Sequence, residues 1–170
     1  MQAFSSIGRG LSGLTRLSGR DTRAQFWSFA IFAMALPYVA MSGFVPPVLE
    51  DLLAGTPSSV EKYILVTCAG LALTVALLAA AVTRRLHDSG RSGWWGVPPL
   101  PLLALAMFGS SKLMWGSGGH AQPEVGLLFI AVFVAGALYN VTFVMLLFML
   151  SRQGTGLANR FGPAPEPLAV

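Results

Sequence analysis

Residues 84–95 read RRLHDSGRSGWW and form the densest polar segment of a chain that is otherwise mostly apolar. Two arginines end one long apolar run here, and a glycine-containing turn followed by two tryptophans opens the next run. Arginine is favoured in the anionic headgroup layer on the cytoplasmic side of a membrane, and tryptophan is enriched at the same depth. The segment therefore predicts a loop at the cytoplasmic surface between two membrane spans.

The overall composition favours a membrane protein over a soluble one. Of the 170 residues, 54% are hydrophobic and 11% are charged, and the mean hydropathy is +0.66, whereas an average soluble domain is about 25% charged. The net charge of +4 arises from cations in short segments between apolar runs. This placement fits membrane topology and argues against a nucleic-acid surface. A single cysteine, Cys68, leaves no disulfide and no cysteine-based metal site.

Four stretches without charged residues are each about long enough for a transmembrane helix, which needs roughly 20 residues to cross a ~30 Å hydrocarbon core. They predict an all-α integral membrane bundle of four transmembrane helices, near residues 26–47, 63–83, 95–115 and 125–150. In the third span, prolines at 98, 99 and 101 should disrupt the first turns. Regular helix is therefore expected there only from about Leu102.

The basic residues predict the orientation. All nine arginines lie in the N-terminal segment, the middle loop and the tail, whereas the other two loops hold Lys62 and Lys112. Because basic residues concentrate in cytoplasmic loops, both termini are predicted to be cytoplasmic. We expect a basic cytoplasmic segment at residues 1–21, a four-span membrane domain at 22–162 and a flexible cytoplasmic tail at 163–170.

Local signals refine the helices. Thr22 and Gln25 have the T-x-x-Q spacing of a capping box, which predicts that the first span begins there. Pro37 should kink this helix, and the pair Pro46-Pro47 should end it. In the fourth span Asn140 is the one strongly polar side chain at mid-depth, and an interhelical hydrogen bond is a better interpretation of it than a transport site.

Three motif segments carry a wider pattern: GRxxRxxFW at 19–27, RLHDxGxxGWW at 85–95 and GxxNRFGP at 156–163. Together they resemble the family known as domain of unknown function 805, over about residues 18–165. The chain departs from the family pattern at Gln25, a position that is often acidic, and at 163–165, where the acidic residue before the last proline is missing. The resemblance implies a small, multi-pass protein of the bacterial inner membrane and no particular molecular activity.

Polar residues of the three segments should meet at the cytoplasmic end of the bundle. We call this set the predicted rim; it comprises Arg20, Arg23, Arg84, Arg85, His87, Asp88, Arg91, Trp94, Trp95, Asn159 and Arg160. Arg84, His87, Asp88 and Arg91 have the spacing of one helix face. Asp88 is expected to pair with Arg84 or Arg85 and to orient His87, and Trp94 or Trp95 is expected to cover the cluster.

Three interpretations of the predicted rim stay open. The arginines could be topology anchors, they could form an ion-pair lock between the segments, or they could bind the phosphate of a lipid headgroup or metabolite. An anchor needs only Lys or Arg and explains His87 and Asp88 poorly. Between the other two, the sequence slightly favours the lock.

No catalytic residues, metal site or cofactor can be assigned. The second histidine, His120, is predicted on the opposite side of the membrane from His87, so the two cannot share a metal ion. The sequence also shows no nucleophile with a neighbouring base. The leading hypothesis is a non-enzymatic assembly or lipid-interacting protein. Its partners would be membrane lipids, a second copy or another membrane protein, and no nucleic acid. The alternative is a transporter or lipid-modifying enzyme that holds a phosphate or other anion at the rim.

Overall fold

The computed structural model describes residues 2–55, 59–115, 123–163 and 165. Within them the chain is helical and contains no strand. Six α-helices and one short 3₁₀ helix (Gly93–Gly96, between α4 and α5) follow in this order: α1 Gln2–Ser12, α2 Arg23–Met41, α3 Val45–Leu53, α4 Ser59–Asp88, α5 Pro99–Trp115 and α6 Pro123–Ser151. The all-α prediction is confirmed. Most of the segment expected as a flexible tail lies outside the described residues.

Three helical segments of the described chain are long and apolar enough to cross a membrane: Arg23–Met41, Ile64–Asp88 and Gly126–Ser151. They indicate a membrane-embedded protein. They correspond to the first, second and fourth predicted spans. The third predicted span corresponds to α5, which has 17 residues and so stands at the lower end of spanning lengths.

The start of α2 is as predicted, but its end is not. Thr22 N donates to Gln25 Oε1 at 2.8 Å and Gln25 N donates to Thr22 Oγ1 at 3.3 Å, which completes the capping box. The prediction that Pro46-Pro47 ends this helix is wrong, because α2 ends at Met41 and the two prolines lie in the first turn of α3. Proline is tolerated there because the first N–H groups of a helix have no intrahelical partner.

The third predicted span has the expected irregular start. Residues Gly93–Gly96 form the 3₁₀ helix, and Ser92 Oγ caps it by accepting from Trp94 N at 3.4 Å. Regular helix begins at Pro99, three residues before the predicted start at Leu102. The difference has the same cause as in α3, since Pro99 and Pro101 both fall in the first turn, where a missing N–H costs little.

The hydrophobic core lies at one end of the molecule. Its residues come from the first half of α2, the second half of α4 and the end of α6: Phe26, Phe29, Ala30, Ala33, Leu77, Ala81, Leu86, Leu146, Met149 and Leu150. Toward the other end, apolar side chains such as Tyr38, Leu65 and Phe133 are largely exposed, as expected for surfaces that contact lipid. The core therefore adjoins the end that carries the three motif segments.

Glycine allows close contact at two helix pairs, α1 with α2 and α5 with α6. A Cβ on Gly10 of α1 would lie 2.1 Å from the Phe29 ring of α2, and a Cβ on Gly109 of α5 would lie 2.3 Å from Val132 of α6. These helices therefore approach each other more closely than a larger residue would allow. Helix α1 was not predicted, because the positive charge of residues 1–21 indicated only a cytoplasmic segment.

Asn140 differs from its expected role. Its Nδ2 donates to Gly136 O of the same helix at 2.8 Å, and the residue is exposed on α6. The expected interhelical hydrogen bond is therefore wrong for the described chain. An amide that is turned back on its own helix gives no cohesion between helices.

Candidate functional site

The middle motif segment places its charges at the end of α4. Gly90 has a positive φ of 75° and closes the helix: Arg91 N donates to Leu86 O at 2.9 Å and Gly90 N donates to His87 O at 3.0 Å. This pair of bonds is a Schellman motif, in which glycine supplies the left-handed residue that stops a helix. Arg84, Arg85 and Asp88 therefore lie in the last turns of α4, whereas Arg91 lies beyond it. The expected single helical face through Arg91 is wrong.

Five charged residues are buried together at this end, and we call them the Arg–Asp cluster: Arg20, Asp21, Arg84, Arg85 and Asp88. Each is at most 7% exposed, and Arg85 is fully buried. Charged side chains are seldom buried to this degree without a partner, because desolvating an ion costs several kcal/mol. The hydrogen bonds of each member show how this cost is offset.

Asp88 joins the first and middle motif segments. Its Oδ1 accepts from Arg20 Nε at 3.2 Å and from Arg20 Nη2 at 2.9 Å, and its Oδ2 accepts from Arg85 Nη1. The expectation that Asp88 pairs with Arg85 is confirmed, and Asp88 pairs in addition with Arg20 of the first motif segment. Pairing with Arg84 does not occur. Asp88 does not orient His87, because no hydrogen bond joins its carboxylate to the His87 ring and the buried His87 Nδ1 has no partner among the described residues.

Arg84 pairs instead with Asp21 and fastens the end of α1. Its Nε donates to Asp21 Oδ2 at 2.8 Å, and its Nη1 donates to Gly13 O at 2.6 Å and to Arg16 O at 2.8 Å. Both carbonyls follow the last turn of α1. Asp21 was not among the predicted residues. Its only signal was an acidic residue directly after Arg20 and before the capping Thr22, in a segment that is otherwise basic.

Arg85 joins α4 to the end of α6. Its Nε donates to Leu150 O at 2.9 Å, and its Nη2 donates to Arg152 O. Carbonyl groups in the last turn of a helix lack intrahelical donors and carry partial negative charge. A single guanidinium thus satisfies both the Asp88 carboxylate and the C-terminus of α6.

Arg20 and Thr155 attach the last motif segment. Arg20 Nη1 donates to Leu157 O at 2.6 Å, and Arg20 Nη2 donates to Thr155 Oγ1 at 2.9 Å. Thr155 N in turn donates to Asp88 O at 3.0 Å. A Cβ on Gly154 would lie 2.0 Å from Asp88 Oδ2. The backbone of the tail therefore closes directly over the Asp88 carboxylate.

The Asn-Arg-Phe-Gly part of the tail covers the end of α4. Asn159 Nδ2 donates to His87 O at 2.9 Å, and Arg160 Nη2 reaches Gly90 O at 3.4 Å. The His87 and Phe161 rings stack with centroids 3.9 Å apart and an interplanar angle of 4°, and the Arg160 guanidinium lies 4.6 Å from the Phe161 centroid. Phe161, which was not among the predicted residues, thus positions His87 by stacking.

The remaining predicted residues do not join the cluster. Arg23 is exposed, and neither its side chain nor that of Arg91 has a hydrogen bond or ion pair with another described residue. Trp94 and Trp95 are 77% and 46% exposed, so the expected tryptophan cover is wrong. The reason is that the 3₁₀ helix packs on α4 through Gly93, whose Cβ position is 2.6 Å from Thr83, which turns the rings outward.

The hydrogen bonds of the Arg–Asp cluster are made within the protein. Among the described residues, His87 Nδ1 is the one buried side-chain nitrogen or oxygen without a hydrogen-bond partner, so the buried polar atoms of the cluster all have partners. In the same part of the chain, no group of three His, Cys, Asp or Glu side chains is placed to hold a metal ion. The arrangement is suited to joining segments of the chain together.

The fold and the cluster together define a class: a membrane-embedded helical protein whose chain segments are joined at one end by buried arginine–aspartate pairs. A family model described as "Protein of unknown function (DUF805)" matches residues 14–163. The chain belongs to this family, which confirms the resemblance of the three motif segments. The match covers the whole Arg–Asp cluster and begins after α1. Neither the curated proteins nor the solved structures contain a match to the chain.

Proposed function

We propose that the chain is a non-enzymatic protein of the bacterial inner membrane, with four spans and both termini in the cytoplasm. It would assemble with lipid, with a second copy or with another membrane protein. In this proposal the Arg–Asp cluster is a structural lock that fixes the cytoplasmic ends of the helices. The observation that carries the proposal is the closure of the cluster by protein groups.

A structural lock and an anion site make different demands on an arginine. An anion site has to leave guanidinium N–H groups free for the ligand. In the cluster, Arg20, Arg84 and Arg85 direct theirs to two carboxylates and to backbone carbonyls of α1, α6 and the tail. A phosphate at this position would have to displace these bonds. The geometry therefore favours the lock, which was also the preferred interpretation of the sequence.

The fourth span in this proposal is α5. Its 17 residues extend about 26 Å at 1.5 Å per residue, which is slightly short of the hydrocarbon thickness. The preceding 3₁₀ helix lengthens the segment and exposes Trp94 and Trp95, side chains that are enriched at membrane interfaces. The bias of nine arginines against two lysines supports the same topology.

A transporter or an enzyme acting on phosphate at the predicted rim is less well supported. The polar residue at mid-depth, Asn140, faces an open depression on the outer surface of α6, where its neighbours are Val141, Val144, Met145 and Phe148. Transport pathways are expected to run through the interior and to place polar or ionisable groups there. This location favours a surface that contacts lipid or another helix.

Phosphate-dependent stability distinguishes the lock from an anion site. A ligand that binds the folded state raises Tm, so we expect inorganic phosphate to raise the Tm of the purified protein no more than chloride at equal ionic strength. Arg85→Lys, which keeps the charge but loses the planar fork, should lower Tm equally in both salts. A phosphate-specific rise in Tm that Arg85→Lys abolishes would contradict the lock and favour the alternative.

A further inference from the structure

Two adjoining cavities share Arg23 at the start of α2. The first is an open groove of about 490 Å³ between α2 and the end of α6, lined by Arg23, Ala24, Trp27, Ser28, Ile31 and Ser151. The second is a cleft of about 310 Å³ under the tail, lined by Thr22, Arg23, Asp88, Gln153, Gly154, Gly156 and Pro165. Arg23 therefore lies between a groove lined by Trp27 and Ile31 and a cleft whose lining includes Thr22 and Gln153.

The groove follows α2 away from the Arg–Asp cluster. Arg23 and Ile31 are eight positions apart in α2, which corresponds to about 12 Å along a helix. Trp27 lies between them, one turn from Arg23. A cation, then an indole, then an aliphatic side chain is the order in which a phospholipid presents its phosphate, its glycerol region and its acyl chain.

The charge around Arg23 is complementary to an anion. The Arg–Asp cluster holds three arginines and two aspartates, so its formal charge is +1. Arg23 adds a further positive charge, and no described acidic side chain pairs with it. The Asp88 carboxylate lines the cleft, but both of its oxygens are engaged by Arg20 and Arg85. Arg23 is thus a guanidinium that the Arg–Asp cluster does not use and that can bind an anion where the groove and the cleft meet.

We propose that the two cavities bind one anionic phospholipid, with its phosphate on Arg23. The headgroup would occupy the cleft, and one acyl chain would lie in the groove along Trp27 and Ile31. The site rests on the proposed membrane placement of the chain. A free phosphate would use the cation alone and leave the apolar groove without an occupant, so the shape of the groove favours the lipid.

Native mass spectrometry of the full, delipidated chain in detergent tests the site, with phosphatidylglycerol as the probe and phosphatidylcholine as the neutral comparison. We expect one phosphatidylglycerol to bind in preference to phosphatidylcholine. Arg23→Gln should weaken its binding about fivefold, which corresponds to one interfacial arginine. Arg91→Gln removes the same charge from a side chain outside both cavities and should leave the binding unchanged.

A second variant tests the groove without a change of charge. Ala24→Phe fills part of the groove and should also weaken phosphatidylglycerol binding, whereas inorganic phosphate should not displace the lipid. Equal binding of both lipids, equal loss in Arg23→Gln and Arg91→Gln, or displacement by inorganic phosphate would overturn the proposal. The topology and the lock are measured separately, by labelling and by Tm, so a failure of the lipid site is distinguishable from a failure of the proposed function.

Discussion

Buried arginines in this protein donate most of their hydrogen bonds to carbonyl groups that helix ends and turns leave free. Arg84 bonds the carbonyls after α1, Arg85 bonds those at the end of α6, and Arg20 bonds those of the tail. Arginine suits this role because its planar fork offers five donors in fixed directions. Lysine, with one point charge, would satisfy fewer acceptors at once. This explains why a simple count of positive charges understates what these residues do.

The contact between Gly154 and Asp88 gives a prediction at the residue scale. Gly154→Ala would place a methyl group on the Asp88 carboxylate, because the Cβ position is 2.0 Å from Oδ2. We expect the free energy of unfolding to fall by about 1–3 kcal/mol, as for other overpacked sites. Denaturant unfolding followed by circular dichroism measures it. Gly136→Ala, where the Cβ would meet open space, is the control, and an equal effect of the two changes would contradict the packing described.

At the scale of the elements, the sequence predicts what depends on local chemistry. The capping box at Thr22 and the irregular start of α5 follow from residue types at fixed spacing, and the apolar runs locate α2, α4 and α6. The predicted end of α2 was wrong, because a proline can follow the end of one helix or stand in the first turn of the next, and Pro46-Pro47 do the second. The ion pairs were only partly predictable, because the partner of Arg84 depends on how the segment before Thr22 folds back.

The packing of α1 on α2 yields a prediction about one element. Gly10→Ala should separate these helices, because the new Cβ would lie 2.1 Å from the buried Phe29 ring. Limited proteolysis should then release the N-terminal segment faster than in the parent protein. Gly8→Ala, in the same helix, meets open space and should be neutral or slightly stabilising, since alanine is the better helix former. Release at the parent rate in Gly10→Ala would show that α1 does not pack in this way.

For the whole molecule, the core and the Arg–Asp cluster occupy the same end, and the opposite halves of the helices expose apolar side chains. A soluble protein would bury such surfaces, whereas lipid satisfies them without cost. At this end the cluster adds ion pairs and hydrogen bonds to the packing of the core, and Arg85 joins α4 to the end of α6. One end of the molecule is thus held by the core and the hydrogen bonds of the cluster, and the other presents apolar surface to lipid, as the proposed function requires.

Topology can be tested by labelling single cysteines in a Cys68→Ala background on intact cells. With both termini in the cytoplasm, Glu50→Cys on α3 should react with a membrane-impermeant maleimide. Gly8→Cys and Gln153→Cys, which flank the spans on the arginine-rich side, should react only after the membrane is permeabilised. The reverse pattern of labelling would overturn the proposed orientation.

The central claim is that buried arginine–aspartate pairs join the first and middle motif segments, and a double-mutant cycle measures this most directly. For Arg20→Gln and Asp88→Asn, whose side chains meet at 2.9 Å with almost no exposure, we predict a coupling free energy of at least about 1.5 kcal/mol in detergent unfolding. The matched cycle of Lys62→Gln and Asp51→Asn probes an ion pair of the same length that is about half exposed, and its coupling should stay below about 0.5 kcal/mol. A coupling near zero between Arg20 and Asp88 would contradict the lock.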